Sequence, residues 1–225
     1  MVQNDLVYVN VITRHTGHWA MFNAFQGAAG HASKAGIRCI LAPHVGDSLV
    51  SRARNNSMAD FLESDAGWFF TLDDDVAIPT HAITELINAN KDCIGGMYRL
   101  KRELTEDENL IDAIAVRGKE NFKFGQAEPA EVYYISGGCV MYKRKFLEDM
   151  VKHYPELAYT ENCTQKKRWA LYMPYIYNNE YLSEDWAFCQ RALDKGYKMY
   201  ILPNVLCDHW GLRNYSISSA LNGGV

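Results

Sequence analysis

The residues best equipped for chemistry in this 225-residue chain stand side by side. "GWFFTLDDDVAIP", Gly67 to Pro79, drives an apolar run from Trp68 to Leu72 straight into Asp73, Asp74 and Asp75. Two carboxylates ~4 Å apart repel by about 4 kcal/mol at an effective dielectric near 20, so three in a row after a buried strand need compensation. One reading is a strand-end turn, because aspartate favours turns and caps. The other is a divalent cation, which takes hard oxygen ligands and can bridge phosphate oxygens at the same time. Strand alternation puts Asp73 and Asp75 on one side and Asp74 on the other, unless the turn has already begun.

Four further constellations carry chemistry. "SEDWAFCQRALDKG" has Ser183 as N-cap and Glu184 and Asp185 in the first turn of a helix. Acids there gain about 0.3–1 kcal/mol from the dipole; aimed into a cleft, one of them serves as general base or substrate ligand, help typically worth ~10²–10⁴ in rate. "CDHWG", residues 207–211, carries His209 out of a strand into a glycine turn, with Asp208 as the rival ligand. A mixed oxygen and imidazole set suits Mn²⁺ better than Mg²⁺. In "SRARNNS", Arg52, Asn55 and Asn56 are spaced i, i+3, i+4 and share a helix face. That face is either solvated or an arginine fork for a diphosphate with amides for a base or ribose. "SGGCV", with Gly137 and Gly138, and "GGM" place glycines where backbone can approach a ligand or another strand closely.

These groups need a scaffold. Leu6 to Ile12 reads as a strand, residues 17–36 as a helix stopped by Gly36, and Arg38 to Leu41 as a second strand. Asp47 or Ser48 can cap the next helix, in which Leu49, Ala53 and Phe61, and Val50, Met58 and Leu62, recur at helical spacing. Trp68 to Leu72 is the third strand, "IPTHAITELINAN" a helix with proline in its opening turn, and "CIGGMYR" a strand edge. Alternating strands and helices predict an α/β fold with a mainly parallel sheet flanked by helices, whose ligands sit at the carboxyl ends of the strands. The aspartates lie at such an end. "TRHTG", Thr13 to Gly17, is the natural nucleotide loop of this sheet, but neither G-x-G-x-x-G nor G-x-x-x-x-G-K-[ST] occurs, so dinucleotide and P-loop chemistry lose their usual support.

The second half is less regular. Residues 101–131 read as a hairpin or mobile excursion, "EVYYISGGCVMYKR" as strand, glycine turn, strand, and 152–182 as aromatic and loop-like. "KMYIL" and "VLC" are late strands, and "SISSALNGGV" a loose tail. The expected organisation is one domain over 1–225: a regular half (1–100), a less regular half (101–215) and the tail (216–225). Composition is that of an ordinary globular protein, 48% hydrophobic and 22% charged, and a net charge of -4 leaves no basic footprint for nucleic acid. The six cysteines form no C-x-x-C pair, which argues against structural zinc; buried free thiols suit a reducing, cytoplasmic location. No signal-like segment and no apolar stretch of 18 residues is present, so no transmembrane segment is expected.

Taken in order, "LDDDV", "SGGCVMYKR" and "EDWAFCQRALDKGYKMYILPNVLCDHWG" resemble a nucleotide-sugar-dependent glycosyltransferase of the A-type (GT-A) fold, over roughly residues 5–213 and at the small size of viral and phage members. The resemblance makes residues 1–100 the nucleotide-sugar half and 101–215 the acceptor and catalytic half, puts a viral member in the host cytoplasm, and implies a D-x-D motif on Asp73-Asp74-Asp75. The first aspartate would face the ribose and the last would hold Mn²⁺ against the diphosphate, with Asp74 able to share either role. Asp73 is then a second candidate metal ligand, and His209 a further one. Glu184-Asp185 matches the catalytic pair, with Asp185 the usual acceptor-side base. Arg52, with Arg54 and Asn55 nearby, matches the helix that touches the nucleotide; Thr13 and Arg14 match the loop that holds the base; Gly137 and Gly138 approach the donor. Tyr172, Tyr175, Tyr177, Tyr181 and Trp169 would wall the acceptor site or form a satellite core. The implied partners are a UDP- or GDP-sugar donor and a glycan or glycoprotein acceptor. A sugar nucleotidyltransferase and a Ca²⁺-dependent carbohydrate-binding module are the competing readings.

Overall fold

The computed structural model describes residues 2–13, 17–105, 107–118 and 121–222. Its first half alternates as the pattern predicts: β1 (Gln3–Thr13), α1 (Trp19–Lys34), β2 (Arg38–Val45), α2 (Val50–Glu63), β3 (Ala66–Asp73), the two-residue β4 (Val76–Ala77), α3 (Ala82–Asn88) and β5 (Cys93–Met97). The second half supplies β6 (Val116–Gly118), β7 (Ala130–Ile135), β8 (Cys139–Lys143), α4 (Arg144–His153), β9 (Ala158–Thr160), β10 (Lys167–Trp169), β11 (Tyr175–Tyr177), β12 (Glu180–Leu182), α5 (Glu184–Asp194), β13 (Met199–Leu206), β14 (Asp208–Trp210), β15 (Asn214–Ser216) and α6 (Ile217–Leu221).

Eight strands form the central sheet in the order β2-β1-β3-β8-β5-β13-β7-β6. β8 and β7 run against the other six, so the sheet is mixed but mostly parallel in direction, as expected of the α/β class. The strands on either side of "SGG" do not pair with each other. β8 inserts between β3 and β5, while β7 lies beyond β13. The expected edge strand "CIGGM" is therefore interior, and its glycines allow the packing: a Cβ on Gly95 would meet the Cys139 carbonyl oxygen at 2.8 Å, and one on Gly96 the Val205 Cγ1 at 2.7 Å.

Alternation along β3 divides the core. Trp68, Phe70 and Leu72 pack with Met21, Phe25 and Ala28 of α1 and Ile83 and Leu86 of α3, whereas Phe69 joins Phe61 of α2, Phe146 and Leu147 of α4 and Phe188 of α5. α1 ends as expected, with Gly36 at φ 79 just past the cap. α2 starts after an aspartate turn, Leu49 N–H donating to Asp47 Oδ1 at 2.9 Å. At its other end the buried Arg144 donates to the carbonyls of Phe61, Leu62, Ser64 and Ala66 at 2.7–3.2 Å, satisfying acceptors a helix end leaves free.

Several expectations for the second half change. The 101–131 region contains a 3₁₀ turn at Leu110–Ala113 and β6, which pairs with β7 as a hairpin. Residues 152–182 hold two small antiparallel sheets, β9 with β10 and β11 with β12. "KMYIL" and "VLC" merge into one strand, because the register irregularity between Ile201 and Leu206 accommodates Pro203. Residues 217–221 are helical with Ile217 fully buried, not a loose tail. Cys93, Cys139, Cys189 and Cys207 are buried free thiols, but Cys163 is exposed. Among the described residues no helix is long and apolar enough to cross a membrane.

Candidate functional site

β3 ends at Asp73, and Asp74 and Asp75 already belong to the turn into β4. Asp73 follows Phe69 and Thr71 in the alternation, so its side chain falls on the α2 face. There Arg54 Nη2 donates to Asp73 Oδ1 at 2.9 Å. Arg54 is only 4% exposed. Its Nη1 donates to the Gly137 carbonyl at 3.1 Å and its Nε to Glu184 Oε1 at 3.3 Å. One guanidinium thus ties together α2, the end of β3, the turn before β8 and the start of α5. Burial disfavours its charge, but Asp73, Glu184 and Asp185 outweigh that and raise its pKa.

Asp75 has different partners. Lys101 Nζ forms an ion pair with its Oδ2, and His209 Nε2 lies 3.4 Å from its Oδ1. β14 pairs antiparallel with β4, His209 opposite Val76, and Trp210 N–H donates to the Asp75 carbonyl at 2.8 Å. This pairing brings residue 209 beside residue 75. Burial opposes ionisation of Asp75, but His209 and Lys101 prevail and hold its carboxyl below the usual range. Asp74 has no comparable cation; burial and its acidic neighbours Asp75 and Asp73 push its carboxyl up. The protein relieves part of the repulsion within the triplet, Arg54 pairing with Asp73 and Lys101 with Asp75, while Asp74 still carries the repulsion of both neighbours.

The glycine pair serves this cluster. A Cβ on Gly137 would stand 2.7 Å from Arg54 Cζ, and one on Gly138 2.7 Å from the Tyr98 hydroxyl and 2.8 Å from Asp73 Oδ2. Gly138 N–H donates to the Tyr98 hydroxyl at 3.0 Å. The two carboxylates of α5 differ sharply. Asp185 accepts three hydrogen bonds: from Gly137 N–H at 3.0 Å, from its own helix at Trp186 N–H at 2.8 Å, and from the Ser183 hydroxyl. Ser183 is the N-cap residue, but its hydroxyl donates to Asp185 instead of accepting from the helix. Glu184 accepts from Arg54 Nε, and burial, then Asp185, raise its carboxyl.

The other candidate residues are placed as follows. Thr13 ends β1, buried opposite Val45; Arg14 lies outside the described residues. Arg52 is turned to Asp47, at 2.7 and 2.9 Å, away from the acidic cluster. Asn55 is buried, its Oδ1 accepting from Tyr172 N–H at 2.9 Å, and Asn56 donates to Glu161 at 2.7 Å. Tyr172 is core, stacked on Phe188 at 4.5 Å, and Tyr175 lies under Arg191, whereas Tyr181 is exposed. The cation at the centre is thus Arg54, two residues beyond Arg52. The signal for it was present: Arg54, Met58 and Phe61 repeat at the spacing of a buried helix face. Tyr98 and Lys101, just beyond β5, carry no local mark.

Whether the residues fit a divalent cation rests on the donor set. Among the described residues no group of three or more His, Cys, Asp and Glu side chains is arranged to hold a metal. Two donors do face one another, Asp75 and His209. The Arg99 carbonyl accepts from His209 Nδ1 at 2.6 Å, so Nδ1 carries a hydrogen; Nε2 meets Asp75 as an N–H donor and, once that proton leaves, as a lone pair for a cation. An outer partner of that kind is what metal-binding histidines use. The set fits a cation that brings phosphate oxygens as its remaining ligands.

No family model matches the chain and no curated protein matches it. Among solved structures it is similar to the protein A197 from STIV, with a TM-score of 0.55 and 18% identity over 91% of this chain and 85% of that one. It is more loosely similar to S. aureus TarS 1–349, with a TM-score of 0.44 and 8% identity over 87% of this chain and 58% of that one. A third likeness is to the inositol-1-phosphate CTP transferase from T. maritima, at 0.45 and 10% over 96% of this chain and 92% of that one. The likeness to A197 is one of fold.

Proposed function

We propose that this chain is a glycosyltransferase of the GT-A kind. It moves a sugar from a nucleoside-diphosphate sugar, UDP-linked ahead of GDP-linked, to a hydroxyl of a glycan or glycoprotein, with Mn²⁺ or Mg²⁺ as cofactor. One observation carries the reading. Asp73 to Asp75, Gly137-Gly138, Glu184-Asp185 and His209 come from four separate stretches of sequence, and one connected set of contacts gathers them at the carboxyl end of β3, where such sheets bind ligands.

Asp75 and His209 would hold the cation, which when bound supplies Lewis-acid neutralisation of the departing diphosphate. Arg54 is fully engaged in protein contacts, so its part is to fix Asp73 and Glu184 in place. Lys101, released from Asp75, would turn its ammonium to phosphate oxygens. The contacts favour Glu184 over Asp185 as the base that takes the acceptor proton. The oxygens of Asp185 already accept three hydrogen bonds, which leaves less room for an acceptor hydroxyl to reach them. Burial and Asp185 raise Glu184, which strengthens it as a base. Turnover should then grow as pH rises through that elevated pKa, since only the ionised carboxylate accepts a proton.

Calorimetry with UDP and GDP, with and without Mn²⁺, tests the reading. Wild type should bind one of them in a Mn²⁺-dependent way, Asp75→Ala should lose that dependence, and Glu184→Gln should bind normally while turnover falls ~10²–10⁴-fold. Pyrophosphate release from a nucleoside triphosphate and a sugar phosphate would point to nucleotidyl transfer instead. Sugar binding with no nucleotide binding would point to a carbohydrate-binding module.

A further inference from the structure

The acidic cluster leaves one hydrogen-bond donor and one acceptor unused, side by side. Tyr98, just past β5, is 5% exposed, and its ring meets the His209 ring edge-on at 5.0 Å. Its hydroxyl oxygen accepts from Gly138 N–H at 3.0 Å. A phenol keeps its own proton at neutral pH, and among the described residues no group accepts that proton from Tyr98. Asp73 offers the complement. Arg54 Nη2 takes its Oδ1 at 2.9 Å, and among the described residues no donor reaches its Oδ2. The two oxygens are neighbours: a Cβ on Gly138 would lie 2.7 Å from the Tyr98 hydroxyl and 2.8 Å from Asp73 Oδ2. No hydrogen bond joins them.

Such a pair is selective in what it can bind. A buried donor left without an acceptor is costly, so the phenol proton calls for a partner. A phosphate oxygen would accept it but is repelled by the carboxylate beside it. An ammonium would pair with Asp73 but has no lone pair for the phenol. A hydroxyl serves both at once, because it carries one O–H and two lone pairs. The pair also stands where a ligand can arrive. Asp73 closes the carboxyl end of β3 with its side chain 30% exposed, and the Tyr98 ring lies against His209, one of the two candidate cation ligands. The nearby cations are engaged elsewhere, Arg54 with Asp73 Oδ1, Gly137 and Glu184, and Lys101 with Asp75.

We propose that Tyr98 is a specificity-determining residue: its hydroxyl and Asp73 Oδ2 together bind one hydroxyl of the nucleotide sugar, on the ribose or on the transferred sugar. The assignment rests on the transferase reading. Calorimetry on the full chain with Mn²⁺ tests it, and its arms separate the two sources. UDP and GDP are compared with their 2′-deoxy and 3′-deoxy forms, and a panel of UDP- and GDP-hexoses with counterparts lacking one hexose hydroxyl. In wild type, loss of the bound hydroxyl should weaken binding ~10-fold or more, because a donor and an acceptor are then left unpaired. A drop among the nucleoside diphosphates puts that hydroxyl on the ribose; a drop confined to the nucleotide hexoses puts it on the transferred sugar. Tyr98→Phe keeps the ring against His209 and should lose most of the preference for the hydroxyl. Gly138→Ala, whose methyl crowds both oxygens, should lose it too. Circular dichroism checks folding, and if Gly138→Ala does not fold, Tyr98→Phe decides. A purely structural tyrosine would weaken every ligand by the same factor and leave the preference intact. That result, or a wild type indifferent to every hydroxyl, overturns the proposal while nucleotide binding leaves the transferase reading standing. No nucleotide binding in any condition overturns both.

Discussion

At the residue scale, the three aspartates are three different groups despite their adjacency. Asp73 is paired with a buried arginine, the Asp74 carboxyl is pushed up by burial and by both neighbours, and Asp75 is shared between an ammonium and an imidazole. The last has a direct consequence. Lys101 occupies one oxygen of the carboxylate that a divalent cation would need, so the ion must displace it. Lys101→Met should therefore raise Mn²⁺ affinity several-fold in the absence of nucleotide, measured by calorimetry or by the spin-resonance signal of the free ion. Unchanged or weaker binding would show that the pair does not compete with metal.

At the scale of elements, the turn between β7 and β8 is shaped by the side chains packed against it. Gly137 lies against the Arg54 guanidinium, and Gly138 leaves room for both Tyr98 and Asp73. Gly138→Ala would place a methyl 2.7 Å from the Tyr98 hydroxyl and 2.8 Å from Asp73 Oδ2, and neither neighbour can retreat without losing its own contact. Overpacking of this kind costs typically ~1–3 kcal/mol. Urea unfolding should show a loss in that range, whereas Gly30→Ala, whose Cβ would meet nothing within 4 Å, should show none. The separation of β7 from β8 across β13 and β5 also explains why residues 136–138 lie near the middle of the sheet: they cross over it.

At the scale of the molecule, Arg54 joins the two halves of the chain. It binds Asp73 in the first half and Gly137 and Glu184 in the second, at sequence separations of 19, 83 and 130 residues. Removing one partner of a buried ion pair typically costs ~3–5 kcal/mol, because the remaining charge is left without compensation. Arg54→Met should lose about that much at pH 7 by urea unfolding. The sign with pH follows from the carboxylates left behind. Without the arginine, Glu184 resists ionisation more strongly, so the variant's deficit should be smallest at acid pH and grow as pH rises through that carboxyl's raised pKa. Arg54→Lys should recover only part of the loss, since an ammonium cannot make the same fork.

The sequence by itself determined the alternating first half of the fold, because helical and strand periodicities are local and each element there is long enough to show its own. It also located the acidic triplet at a strand end and singled out Gly137, Gly138, Glu184, Asp185 and His209, because unusual residue types at element boundaries are visible without knowing what they touch. Only the tertiary structure decided who neutralises whom. Arg54 and Arg52 are two residues apart on one helix, and a turn of about 200° separates their directions; packing sends one inward to Asp73 and the other outward to Asp47. The position of β8 between β3 and β5, and the pairing of β14 with β4 that sets His209 beside Asp75, depend on contacts between residues far apart in the chain, which no local pattern encodes.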